Sequence, residues 1–176
     1  MPTVEKTIST ERIYEGKILN LRKDTVEIKD GKLASREIIE HNGAVAILAV
    51  TDDNRIVMVS QYRKACEKEL LEIPAGKLEK GEDPKDAALR ELKEETGYVP
   101  GTVEYMTRFY NAAGYSSEMI TLYMCRDLIK GEASPDEDED IELSEIDIDT
   151  LYDMCLKGEI EDAKTIIGVL MAKEKM

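Results

Sequence analysis

The chain has 176 residues, enough for one well-buried domain or a domain with a small appendage. Its hydrophobic content of 42% is that of an ordinary soluble protein, no apolar run reaches the length of a membrane span, and no basic segment followed by an apolar stretch marks a signal peptide. A formal charge of −14 argues against nucleic-acid binding, which needs a basic face, and poses a problem for any anionic substrate that bound Mg²⁺ or Mn²⁺ would solve locally.

The first forty residues read as a small β unit. Thr25-Val26-Glu27-Ile28 alternates, Asp30-Gly31 signals a hairpin, and residues 36–40 return as the partner strand. Asn42-Gly43 then divides an N-terminal β extension, 1–41, from the main domain, 42–176. Residues 44–50 form the longest apolar stretch, read as a buried strand that ends at Thr51, and Asp52-Asp53-Asn54 turns it into residues 55–60 as a second expected hairpin. A short apolar piece at 70–73 runs into Pro74-Ala75-Gly76. The clearest helix follows, with Asp83 as N-cap, Pro84 at the first helical position, Gly97 as the stop, and Ala88, Leu89 and Leu92 as its apolar stripe. Strands are expected at 103–110 and 119–125, and an acidic segment at 136–140 precedes another short strand. Two helices close the chain, 150–156 and about 163–173, with Gly158 between them. Strands interleaved with a few helices indicate an α/β or α+β sandwich. Cys66, Cys125 and Cys155 are odd in number and lack a CxxC pair, which fits free thiols in a reducing cytoplasm. His41 is the single histidine, at a strand boundary, so histidine-based triads are excluded.

Glu91, Glu94 and Glu95 are spaced i, i+3 and i+4, which puts their carboxylates on one helix face. Such like charges repel by a few tenths of a kcal/mol per pair, roughly, unless something neutralises them. A divalent cation would, and clustered carboxylates are hard oxygen ligands suited to Mg²⁺, Mn²⁺ or Ca²⁺ rather than zinc or copper. A bare run of this kind is otherwise an ordinary solvated helix face. Its surroundings distinguish it. Gly76, Glu82, Arg90, Glu91, Leu92, Glu94, Glu95, Gly97 and Tyr98 fill every fixed place of G-x5-E-x7-R-E-U-x-E-E-x-G-U, where U is bulky and apolar, Tyr98 departing from the usual aliphatic residue.

This pattern resembles the Nudix box. Gly43-Ala44-Val45-Ala46, Gln61-Tyr62-Arg63, Glu72-Ile73-Pro74-Ala75-Gly76, Pro135-Asp136-Glu137-Asp138-Glu139 and Asp162-Ala163-Lys164-Thr165 are similar to the ADP-ribose pyrophosphatase branch of that superfamily. The resemblance implies an α/β protein, a Nudix-type α/β/α sandwich with a mixed sheet and a small N-terminal β extension. It implies Mg²⁺ (or Mn²⁺) held by the Ala75 carbonyl, Glu91, Glu95 and Glu139, helped by Glu94, with Glu137 as general base. Arg90 is implied to pair with Glu82 and brace the loop from Gly76 against the helix. Arg63 is implied to bind a substrate phosphate and Glu79 to hold the substrate beside the metals. Arg36 and Gly114 are further substrate-contact candidates, with a homodimer contributing to the nucleotide site. The implied reaction is hydrolysis of the nucleoside diphosphate sugar ADP-ribose to AMP and ribose 5-phosphate.

The acidic run has other readings. Asp136, Asp138 and Asp140 match the start of an EF-hand loop, but Ile141 stands at its glycine and Asp147 at its glutamate, which excludes it. Because the run alternates, the roles of Glu137 and Glu139 can exchange by a two-residue slip. The branch usually carries Ser-Pro-Gly where this chain has Ala112-Ala113-Gly114, although Gly114 and Glu118 still match. Ala113 lacks the fixed φ of proline and regains an N–H, which leaves another nucleoside diphosphate sugar or a dinucleotide open as substrate. A non-catalytic ADP-ribose-binding module would be expected to have lost a box glutamate, and none is lost.

Overall fold

The computed structural model describes residues 4–134 and 140–175. The chain divides into one compact unit of residues 1–43 and 110–119 and another of residues 44–109 and 120–176. In the first, β1 (Lys6–Glu15), β2 (Asn20–Glu27) and β3 (Leu33–Glu40) form an antiparallel sheet in that order. The expected turn joins β2 to β3. Asp30 and Gly31 both take left-handed φ, 64° and 71°, and the Ile28 N–H bonds the Lys32 carbonyl at 2.8 Å. Periodicity does not reveal β1, because every residue of it is exposed in the single chain and neither face carries an apolar alternation.

The second unit runs β4 (Ala44–Ala49), β5 (Arg55–Arg63), β6 (Lys68–Glu72), β7 (Ala75–Lys77), α1 (Pro84–Thr96), β8 (Tyr98–Tyr110), β9 (Met119–Lys130), β10 (Ile141–Asp147), α2 (Ile148–Lys157) and α3 (Ala163–Lys173), with Tyr110 and Met119 falling in the first unit. A four-stranded mixed sheet has the order β7-β4-β9-β8, with β4 parallel to β9 and antiparallel to β7. A three-stranded antiparallel sheet has the order β10-β5-β6.

β4 explains this division. Val45, Ile47 and Ala49 enter one core with Ala87, Ala88 and Leu92 of α1, while Ala46 and Leu48 enter another with Leu151 of α2 and Val169 and Ala172 of α3. A strand buried on both faces between helices gives the α/β/α layering, and its continuous apolar run is the signature of that position. The expected hairpin between residues 44–51 and 55–60 is corrected by the same fact. The turn closes, with Thr51 N–H to the Arg55 carbonyl at 2.9 Å, but the strands share only the Val50–Ile56 bridge. Both edges of β4 are taken by β7 and β9, so β5 pairs with β10 and β6 instead.

Helix α1 begins and ends as its sequence indicates. The Asp83 carboxylate accepts from the Lys85 N–H at 2.8 Å, and Gly97 takes φ 77° with its N–H on the Lys93 carbonyl. Its buried face is Ala87, Ala88, Leu92, Glu95 and Thr96, and Leu89 is only half-buried on the flank. β8 starts directly after Gly97 and passes through Pro100, which an edge strand tolerates. All three cysteines are free, and burial pushes the Cys125 thiol up to about 12. Among the described residues no helix is long and apolar enough to cross a membrane.

A Cβ at Gly97 would meet the Gly131 carbonyl oxygen at 2.7 Å and the Ala133 nitrogen at 2.8 Å, in addition to the left-handed φ. Gly97→Ala is therefore expected to lower the thermal midpoint by roughly 5 °C or more. Thermal denaturation checks this, and an unchanged midpoint would show that the 131–133 backbone yields freely.

Candidate active site

Arg90 organises the glutamates at the start of the site. It forks onto Glu82, Nε to Oε1 at 3.0 Å and Nη2 to Oε2 at 3.1 Å, as the resemblance implies. Its Nη1 also donates to Glu91 Oε1 at 2.8 Å and Glu94 Oε2 at 3.0 Å, and Nη2 reaches the Lys77 carbonyl at 3.3 Å. The guanidinium is half-buried rather than enclosed, and it grips two of the candidate chemical residues as well as the loop. The surrounding carboxylates, Glu82 first, raise its pKa, and Arg90 in turn lowers that of Glu82.

The three box glutamates differ in burial. Glu95 is 5% exposed, and its Oε2 accepts from the Ala75 N–H at 3.2 Å. Glu91 lies directly over Gly76, where any Cβ would fall onto its carboxylate. Glu94 is the most open of them. Glycine at position 76 is thus required by a close approach of backbone to carboxylate. Glu79 is exposed, and its N–H donates to Glu82 Oε2 at 2.9 Å, so the loop before α1 is tied to the same carboxylate that Arg90 holds. Among the described residues no three His, Cys, Asp or Glu side chains converge as a ready metal cluster. Glu137 and Glu139 lie outside the described residues. The segment leading to them is anchored on α1. The Gly131 N–H bonds the Gly97 carbonyl and the Ser134 N–H bonds the Glu94 carbonyl, both at 2.9 Å. Beyond them, Ile141 opens β10 opposite Gln61.

Arg63, at the end of β5, forks onto Glu72 with bonds of 2.7 and 2.8 Å. Glu72 is 2% exposed and also accepts from Lys164 Nζ. Lys164 donates to Asp162 at 3.0 Å, and Asp162 caps α3 through the Thr165 N–H and hydroxyl at 3.0 and 2.6 Å. The Thr165 oxygen accepts the Ile73 N–H at 2.9 Å, which ties α3 to the strand leading into Ala75. Sequence reasoning missed this buried network. Its signal is a glutamate after Leu70-Leu71 and a lysine beside Ile166-Ile167, opposite charges inside two apolar runs.

The remaining candidates belong to the first unit. Arg36 pairs with Glu5. Gly114 is exposed, with open space where a Cβ would stand and no left-handed φ. The loop around it is closed by Asn111 Nδ2 on Glu118 at 3.0 Å and is bonded to the end of β3, Ile39 N–H to the Tyr115 carbonyl and Ser117 N–H to the Ile39 carbonyl. His41 accepts the Gly43 N–H at 3.1 Å, a structural role.

Residues 40–167 match the family model described as the NUDIX domain, and residues 5–39 match that of a nucleoside diphosphate sugar hydrolase N-terminal domain. The chain is 48% identical to a methanol dehydrogenase activator of Bacillus methanolicus, over 94% of this chain and 90% of the relative. It is 43% identical to an ADP-ribose pyrophosphatase of Bacillus subtilis, over 98% and 95%. It is 30% identical to a GDP-mannose pyrophosphatase of Escherichia coli, over 94% and 93%. Among solved structures it is similar to an ADP compounds hydrolase, with a TM-score of 0.86 at 20% identity and coverage of 99% and 95%, a likeness of fold.

The Glu72 network makes a pH prediction. Burial raises the Glu72 carboxyl, but the Arg63 hydrogen bond and Lys164 outweigh it and hold it below its ordinary value of 4.5. A depressed folded pKa contributes stability that is complete above the unfolded value and is lost as pH falls through the folded one. The urea midpoint is expected to drop as pH falls below about 4.5, and to drop less steeply in Glu72→Gln. Equal slopes in both proteins would remove Glu72 from the acid response.

Proposed function

The chain belongs to the NUDIX domain family, and on that premise we propose that it is a metal-dependent diphosphate hydrolase of the ADP-ribose pyrophosphatase branch, cleaving ADP-ribose to AMP and ribose 5-phosphate. The observation that carries this reading is the packing of two box carboxylates against the Ala75-Gly76 backbone, Glu95 on the Ala75 N–H and Glu91 over the Gly76 Cα. That donor set fits Mg²⁺ or Mn²⁺, since Glu91, Glu95 and the Ala75 carbonyl are all hard oxygens and no Cβ at position 76 intrudes. When bound, the cation supplies neutralising charge for the diphosphate and lowers the pKa of a water.

The protein's own groups do the rest. Glu137 accepts the proton of the attacking water, whose oxygen bonds to phosphorus as the phosphorus–oxygen bond to the leaving phosphate breaks. Glu139 and Glu94 complete the acidic set. Arg63 meets a substrate phosphate, and Glu79 orients the substrate from the loop before α1. The model matched at 5–39 supports the nucleoside diphosphate sugar class. A homodimer is part of the reading, because Ile8, Ile13, Tyr14 and Leu33 of the N-terminal sheet are exposed in the single chain and a second copy would cover them. Arg36 and Gly114 contribute substrate contacts from the same unit.

A second substrate is favoured by one observation. Ala113 replaces the branch's proline in an exposed loop, and the GDP-mannose pyrophosphatase relative shows that a protein of this similarity can be named for another sugar nucleotide. A panel of ADP-ribose, GDP-mannose, UDP-glucose and diadenosine polyphosphates with Mg²⁺ ranks kcat/KM. ADP-ribose falling far below another member would overturn the specificity while sparing the hydrolase.

Glu95→Gln is expected to cut kcat by about 100-fold or more while the fold persists by circular dichroism. Gly76→Ala should displace the Glu91 carboxylate and reduce kcat comparably. Near-normal turnover in both variants would remove the box from the chemistry.

A further inference from the structure

We propose that Lys164 is a positioning residue for the substrate-phosphate site, neutralising Glu72 from the protein side so that the Arg63 guanidinium keeps its charge for an anionic phosphate of the nucleoside diphosphate sugar. The inference rests on the hydrolase reading above. A guanidinium forked onto one carboxylate is an ion pair with no net charge to offer a second anion. Arg63 is in that position with Glu72, and Asp162 and Glu95 are close enough to act on it as well.

Lys164 changes the balance. It is 8% exposed, a state lysine adopts only when paired. Its Nζ bonds both Glu72 Oε2 and, at 3.0 Å, Asp162 Oδ1. Lys164 cancels one of the carboxylates around Arg63, so without the lysine the group of Arg63, Glu72, Asp162 and Glu95 is one unit more negative. Glu72, Asp162 and the lysine are withdrawn from solvent, and only the Arg63 side chain, 39% exposed, faces outward. The group therefore shows its positive end to an arriving phosphate. Asp162 holds the lysine from the first turn of α3, and Thr165 fixes that turn to Ile73, two residues before Ala75.

The test compares the full chain with Lys164→Met, Lys164→Arg and the paired Glu72→Gln/Lys164→Met variant. Steady-state kinetics use ADP-ribose with Mg²⁺, and calorimetric titration uses ADP-ribose in EDTA. Lys164→Met is expected to raise KM and the metal-free Kd roughly tenfold with kcat within about twofold. Lys164→Arg should restore most of the affinity. The paired variant removes one charge of each sign and should recover KM toward wild type even where its thermal midpoint is lower. A purely structural lysine predicts a lowered midpoint with unchanged KM in the single variant, and a paired variant binding no better than the single one. Either of these two affinity results overturns the proposal, whereas a lowered midpoint alone is compatible with it. Should Lys164→Met not fold, a paired variant with KM well above wild type overturns it equally. A wild-type chain that hydrolyses no nucleoside diphosphate sugar overturns the hydrolase reading and this inference with it, whereas an active wild type with unchanged KM in Lys164→Met overturns this inference alone.

Discussion

Three carboxylates around one guanidinium fix the loop before α1 against the start of the candidate site. Glu82, Glu91 and Glu94 all bond Arg90, and without it they would repel one another across one turn of helix and the loop before it. The same constraint governs the buried acids of the site among the described residues, in a chain with a net charge of −14. Glu95 is met by the Ala75 N–H, and Glu72 by Arg63 and Lys164. Each carboxylate is thus oriented by a fixed donor, which is what allows acidic groups to be concentrated against backbone instead of fraying toward water.

Packing of apolar strands brings those donors into place. Because β4 feeds two cores from its two faces, α1 lies on one side and α3 on the other, while β7 runs along its edge. Ala75 and Gly76 are thereby carried past Glu95 and Glu91. The Thr165–Ile73 bond holds the start of α3 to the strand before them. Segments near residues 63–76, 90–95 and 162–165 meet at one place although nearly a hundred residues separate the first from the last. Gly131 and Ser134 are bonded to the end of the same helix, through the carbonyls of Gly97 and Glu94.

The names of the relatives vary while the similarity spans the whole fold. Relatives named for ADP-ribose, for GDP-mannose and for activation of a dehydrogenase are all similar to this chain over more than nine tenths of its length. The loop at 111–118, where Ala113 stands in place of proline, is hydrogen-bonded to β3 and belongs with the N-terminal sheet in its own compact unit. Changes in that sheet and in that loop therefore act on one mechanical element.

The sequence by itself determined α1 with both its caps, because Asp83, Pro84 and Gly97 act through local backbone geometry alone. It determined the doubly buried β4, whose unbroken apolar run leaves no solvent face. It also determined the family, since the box is a local spacing of glycine, arginine and glutamates. The Asp30-Gly31 turn was legible for the same local reason. Only the tertiary structure decided that β4 and β5 part into separate sheets, because strand partners are chosen by which edges remain open after the core has packed. It revealed β1, whose ten exposed residues carry no pattern to read. It decided that Leu89 lies on a flank, that Arg90 holds Glu91 and Glu94 as well as Glu82, and that Glu72 and Lys164 meet inside the protein. Charge pairing acts across ångströms of space, and opposite charges inside two apolar runs do not say that they are each other's partners until the fold brings residues 92 apart to hydrogen-bonding distance.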